Sequence, residues 1–171
     1  MKHNLERSIQ EVLRHEGGFV DHPDDPGGAT NMGITLRTYQ KYKRNPYLTA
    51  EDLRNISMDE VYDIYKLGYW DKVKAYELPD GVDFVVFDMA INAGPGRAAK
   101  LLQGVLGVDI DGIIGHQTIK AAEQDSPEGT IRAYTNARED YYRSLPHFST
   151  FGKGWLRRTH ESEQIALSML G

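Results

Sequence analysis

Apolar residues recur every three or four positions along most of this chain, the spacing of helices that each bury one face. Leu5, Ile9, Val12 and Leu13 open the series, and Gly17-Gly18 is a natural C-terminal stop that puts Glu16 in the last turn. Two later starts are marked by polar caps. Thr49-Ala50-Glu51-Asp52 and Ser57-Met58-Asp59-Glu60 both match the capping-box spacing, and Ile56 with Val61 brackets the second as a hydrophobic staple. Helices are therefore predicted to begin near 50 and 58, the second carrying Val61, Ile64, Tyr65 and Leu67 toward Tyr69-Trp70. After the turn at Pro79-Asp80-Gly81 the pattern changes. From Val82 to Ala93 apolar residues nearly surround the helix and leave only a narrow polar stripe of Asp83, Asp88 and Asn92, which predicts a largely buried element.

Gly94-Pro95-Gly96 stops that helix, and another is predicted over Arg97 to Leu106. A turn follows at Asp109-Ile110-Asp111-Gly112, then a short helix after His116. Ser126-Pro127 introduces a long helix that runs to about Ser144, because proline is favoured at the first helical position. Pro146 ends it, His147 to Gly154 reads as loop, and a terminal helix is expected from Trp155 with Ile165, Ala166, Met169 and Leu170 on its apolar face. Period-two alternation is scarce, so the expected β-structure is one small hairpin within 19–35. The fold class is mainly α.

A chain of 171 residues fits one domain, or a main lobe with a small appendage. It has no cysteine, so packing alone must hold it and a thiolate metal site is excluded. The N-terminus lacks an apolar run of signal-peptide length, and no segment approaches the ~20 apolar residues of a membrane span. The expected product is cytoplasmic as synthesised, without membrane insertion, and reaches any outside substrate only when another factor releases it. A net charge of −5 argues against nucleic acid as partner. Oligomeric state is not legible. Ten tyrosines and two tryptophans offer stacking faces for sugar rings or ordinary core packing.

The candidate chemistry lies at Glu16-Gly17-Gly18-Phe19 and the following Asp24-Asp25-Pro26-Gly27-Gly28-Ala29-Thr30. A carboxyl at a helix C-terminus meets the partial negative charge of the last carbonyls, a setting that suits a group required to carry a proton. The proline- and glycine-shaped loop brings Asp24 or Asp25 back as a second carboxylate, the pair that glycoside hydrolysis uses. Thr30, Asn31 and Thr35 add small hydrogen-bonding side chains. His15, His22, Asp24 and Asp25 do not form the His-Glu-x-x-His zinc pattern, and the Asp109-Asp111-Gly112 run has Lys120 where a calcium loop needs glutamate. Neither a metal nor a cofactor is expected. Asp88 and Asn92, four apart, face either a groove or each other.

These residues resemble the N-acetylmuramidases of glycoside hydrolase family 108, found in phage endolysins and secretion-assisting muramidases. The resemblance rests on the Glu16 run, the Asp24–Thr30 loop, Gly33-Ile34-Thr35, Tyr65, Tyr69-Trp70-Asp71 and the stretch from Phe87 to Pro95. From Arg97 onward the chain is similar to the companion peptidoglycan-binding segment, through Asp111 to Thr118 and Phe151 to Arg158. It implies a lysozyme-like fold with a catalytic region over 1–94 and a peptidoglycan-binding-like helical region over 95–171. By the same resemblance Glu16 is catalytic, with Asp25 and Thr30 beside it, and Asn31, Thr35, Tyr69, Trp70, Asp88 and Asn92 bind substrate. Eight residues separate Glu16 from Asp25, as in phage lysozymes of the T4 type. The implied partner is bacterial peptidoglycan. A lytic transglycosylase and a non-catalytic wall-binding or secretion accessory remain as alternatives. Lys153, Arg157 and Arg158 form a solvated basic helix end or attract peptide-stem carboxylates or phosphates.

Overall fold

A computed structural model describes residues 4–21 and 28–171. The mainly α, lysozyme-like class holds: among the described residues, helices supply nearly all the regular structure and the strands form a single two-stranded antiparallel ladder. The chain divides into two compact units, one of Glu6–Gly68 and one of Tyr69–Gly171 with the N-terminal residues through Leu5.

The Glu6–Gly68 unit contains nearly all of α1 (Leu5–His15), then β1 (Thr30–Asn31), β2 (Ile34–Thr35), α2 (Leu36–Lys43), α3 (Ala50–Arg54) and α4 (Met58–Tyr65). Ile9, Val12, Ile34, Leu53, Val61 and Ile64 form its buried core. Both predicted capping boxes are present: Thr49 and Ser57 accept from the backbone N–H groups of Asp52 and Glu60, whose carboxylates reach back to the cap N–H groups. Helix α2 is not anticipated by hydrophobic pattern, since Tyr39 is its one buried residue. Its start is chemical instead: the Thr35 hydroxyl accepts from Thr38 N at 3.1 Å. Helix α4 runs on into a π-helical turn, Lys66–Trp70.

In the other unit, α5 (Val82–Ala93) is the buried helix that its sequence predicts, packed against α6 (Pro95–Leu106), α8 (Pro127–Arg143) and α9 (Phe148–Ser168). Helix α7 (His116–Gln124) lies on α6 and α8. At the start of α5, Asp83 accepts from Gly81 N, Phe84 N and Asn4 Nδ2 at 2.7–2.9 Å. Burial pushes that carboxyl above its ordinary range, against the opposing hydrogen bond from Asn4.

The expected loop at His147–Gly154 is a correction: α9 begins at Phe148 and includes both Gly152 and Gly154. Each glycine costs a helix about 1 kcal/mol, which argues for loop from propensity alone. Tertiary packing overrides it here. A Cβ at Gly152 would stand 2.6 Å from the Phe148 ring, so the bare residue makes room for that ring, and Trp155 on the next turn stacks on Tyr142 at 5.3 Å. Among the described residues no helix is long and apolar enough to cross a membrane.

Candidate active site

In the Glu6–Gly68 unit the site is assembled around a two-residue hairpin turn. Thr30 pairs with Thr35 and Asn31 with Ile34, which leaves Met32 and Gly33 to turn the chain with φ of 49° and 78°. Both residues are left-handed, as the common hairpin turn demands, and a methionine there costs about 1–2 kcal/mol. The backbone groups of Met32 hold it in place. Its N–H donates to the Gly17 carbonyl at 3.1 Å, and its carbonyl accepts the Tyr65 hydroxyl at 2.7 Å.

Glu16 directly follows α1 and is half-buried. Its carboxyl group and the Tyr65 hydroxyl converge on the bare face of Gly33: a Cβ there would lie 2.9 Å from Glu16 Cδ and Oε2 and 2.5 Å from Tyr65 Oη. Gly33 therefore satisfies two demands at once, a positive φ and an empty space for a carboxyl and a phenol. With its hydrogen directed to Met32, the Tyr65 oxygen keeps lone pairs to accept from a proton-bearing neighbour. Asp24 and Asp25, the candidates for a second carboxylate, lie outside the described residues, as does His22. Among the described residues no three His, Asp or Glu side chains come together as a metal ion requires.

The hairpin sorts the other expected residues by face. Asn31 and Ile34 point inward and are buried, while Thr30 and Thr35 are half-exposed on the opposite face, the two-residue alternation of any strand. Thr30 exchanges both backbone hydrogen bonds with Val20 at 2.8 Å. The Asn31 amide donates to the Leu53 and Arg54 carbonyls at 3.1 and 3.3 Å, closing the C-terminal end of α3. Thr35 caps α2. The polar groups of Asn31 and Thr35, read from sequence as substrate contacts, thus have partners within the fold.

In the Tyr69–Gly171 unit, Trp70 is 1% exposed and packs edge-on against Phe87 at 5.3 Å. Its ring is a core side chain rather than the substrate-binding surface that the resemblance implies. Tyr69 is half-buried and starts the turn closed by Val73 N on its carbonyl. Asp88, also expected in a groove, is 1% exposed and held between Arg138 at 2.8 Å and Arg158 at 3.0 Å. Burial alone would raise its pKa, but the two guanidinium groups hold the carboxyl below its usual range. Asp88 is thus the anion of a buried triad linking α5, α8 and α9. Asn92, one turn later, is exposed and donates to the Tyr142 hydroxyl at 3.2 Å.

Two residues outside the sequence-based list organise these sites. Tyr65 was legible only as an apolar position of α4 and as part of the family resemblance. Arg138 carried a usable signal: it follows Ile131, Tyr134 and Thr135 on the buried stripe of α8, where a cation needs an anion opposite.

A search of curated proteins returned no match. Among solved structures, that of SagA from Brucella abortus is similar along essentially the whole chain, with 41% identity, a TM-score of 0.88, and coverage of 99% of this chain and 97% of that one. The model of the Glycosyl hydrolase 108 family matches residues 9–94, and a "Predicted Peptidoglycan domain" matches residues 97–160. The first span contains Glu16, Gly33 and Tyr65, and the second most of α6 through the middle of α9. The chain belongs to the glycosyl hydrolase 108 family and carries its peptidoglycan domain behind the hydrolase region.

Proposed function

We propose that this glycosidase is an N-acetylmuramidase, hydrolysing the β-1,4 bond between N-acetylmuramic acid and N-acetylglucosamine with Glu16 as general acid. The observation that carries the reading is the convergence of the Glu16 carboxyl and the Tyr65 hydroxyl on bare Gly33, inside the region matched by the hydrolase family. The Glu16 carboxyl group gives its proton to the leaving glycosidic oxygen as the bond breaks through an oxocarbenium-like state. Tyr65, fixed by Met32, holds the acid in its rotamer. Asp25, with Asp24 as the alternative, orients a water on the opposite face of the sugar, and Thr30 stands beside that water. A gap of roughly 6.5–9.5 Å between the carboxyl groups gives inversion at the anomeric carbon, whereas about 5–5.5 Å gives a covalent route. Action in the periplasm or wall follows release by another factor.

Glu16→Gln tests the assignment. The variant should melt like the parent and clear cell-wall material at least ~10²-fold more slowly, the low end for a lost general acid. Near-parental clearing would remove Glu16 from the mechanism. Mass spectrometry of the products tests the reaction: reducing muramic acid ends support hydrolysis, and anhydro ends, lighter by one water, mark a transglycosylase. Binding to wall without any product would indicate an accessory module.

A further inference from the structure

A cavity of about 390 Å³ opens on the Tyr69–Gly171 unit between α6, α8 and the loop after α6. Leu101, Val105 and Ile110 form its aliphatic wall, and Arg97 and Lys100 line it with positive charge. It lies wholly within the span of the peptidoglycan domain. The charges are unusual for their setting. The chain carries a net −5, yet among the described residues neither Arg97 nor Lys100 forms an ion pair. Asp109 and Asp111 flank Ile110 without entering the lining, and Asp111 accepts from Gln103 Nε2 at 2.8 Å and Ile113 N at 2.9 Å.

The cavity is also built in advance. Gln103, 1% exposed, donates to Asp111 and to the Ile113 carbonyl and accepts from Gly112 N, so one buried amide fixes the loop. Gly112, at φ of 82°, lies close enough to seat the Lys100 stem, since a Cβ there would stand 3.3 Å from Lys100 Cε. The Arg97 guanidinium lies 5.1 Å over the Tyr141 ring. Positioned cations without acids, beside an aliphatic wall, select a small ligand with methyl groups and free carboxylates. Sugar rings want aromatic faces and polar side chains of both kinds, which this lining lacks.

Resting on the reading of this protein as a peptidoglycan hydrolase, we infer that the cavity is a subsite for the peptide stem of peptidoglycan. Arg97 and Lys100 take stem carboxylates, and Leu101, Val105 and Ile110 take alanine methyl groups. The glycan is then gripped indirectly, through its peptide.

The test is an amide NMR titration of the full chain with the sugar-free peptide L-Ala-D-Glu-L-Lys-D-Ala. Saturable shifts are expected at Lys100, Gly104, Ile110 and Gly112. Reversing both charges, Arg97→Glu with Lys100→Glu, should weaken binding about tenfold or more at an unchanged melting temperature, and amidating the peptide carboxyls should do the same. No saturable shift at these amides, equal affinity for inorganic phosphate, or an unchanged Kd after charge reversal would overturn the subsite. Product release from whole wall is measured alongside. Failure of peptide binding with reducing ends still released rejects the subsite alone, and peptide binding without wall cleavage rejects the hydrolase reading alone.

Discussion

Gly33→Ala tests the architecture of the site more sharply than removing Glu16, because it adds one methyl group and deletes no chemistry. That methyl would stand 2.5 Å from Tyr65 Oη and 2.9 Å from Glu16 Cδ, well inside the roughly 3.5–4.0 Å of a favourable contact. Alanine at a φ of 78° costs about 1–2 kcal/mol. Driving Tyr65 from the Met32 carbonyl loses a hydrogen bond worth about 1 kcal/mol. The total of about 2–3 kcal/mol corresponds to a fall in melting temperature of roughly 5–10 °C for a chain of this size. The rate should fall by more than stability accounts for, since a proton donor displaced by about 1 Å costs on the order of 10². Tyr65→Phe removes the shortest contact but not those with Glu16. The double variant should therefore lose less stability than the two single losses added, by about 0.5 kcal/mol or more, while turnover stays low. Thermal melts and wall clearing on the four proteins complete the cycle. Parental melting and clearing in Gly33→Ala, or strictly additive losses, would refute the convergence.

Asp88 should govern acid stability: its folded pKa lies below the unfolded ~3.9, so the triad stabilises fully above that value and fades as pH falls through the folded one. Asp88→Asn should remove that pH dependence and cost about 3–5 kcal/mol near neutrality, seen in denaturant melts across pH, because Arg138 is left buried without its anion. Gly154→Ala, exposed with nothing within 4 Å, should stabilise α9 by up to about 1 kcal/mol, while Gly152→Ala should destabilise it against the Phe148 ring; opposite shifts in melting temperature check the pair. Asn31→Ala should cost about 1–3 kcal/mol, since the Arg54 carbonyl loses the Asn31 amide while the Leu53 carbonyl keeps Ile56 N as its partner. Asn92→Ala, at an exposed position, should cost under about 1 kcal/mol, and a wall pull-down then reports on any role in binding.

Local chemistry was legible wherever one stretch of chain carried it whole. Capping boxes at Thr49 and Ser57, proline after Ser126 and the nearly all-apolar run from Val82 each name their own helix. The place of Glu16 at the end of α1 was legible for the same reason, from the glycine pair that follows it. What escaped depends on distant partners. Tyr65 meets Met32 across 33 positions, and Arg138 meets Asp88 across 50, separations no local pattern encodes. The polar stripe on α5 was visible, but a stripe facing a groove and one facing a buried guanidinium read alike until α8 is in place. The start of α9 was missed because glycine normally breaks helices, and only the Phe148 ring explains Gly152.

The triad that closes on Asp88 also imposes an order on biosynthesis. Its carboxylate sits 50 residues before Arg138 and 70 before Arg158, so a ribosome adding about 5–20 residues each second leaves this anion uncompensated for several seconds after α5 emerges. During that interval the apolar flanks of α5 have no α8 or α9 to cover them. A nascent chain halted before Arg158 would pair Asp88 with Arg138 but leave its Oδ1 without the second guanidinium and α5 without the cover of α9.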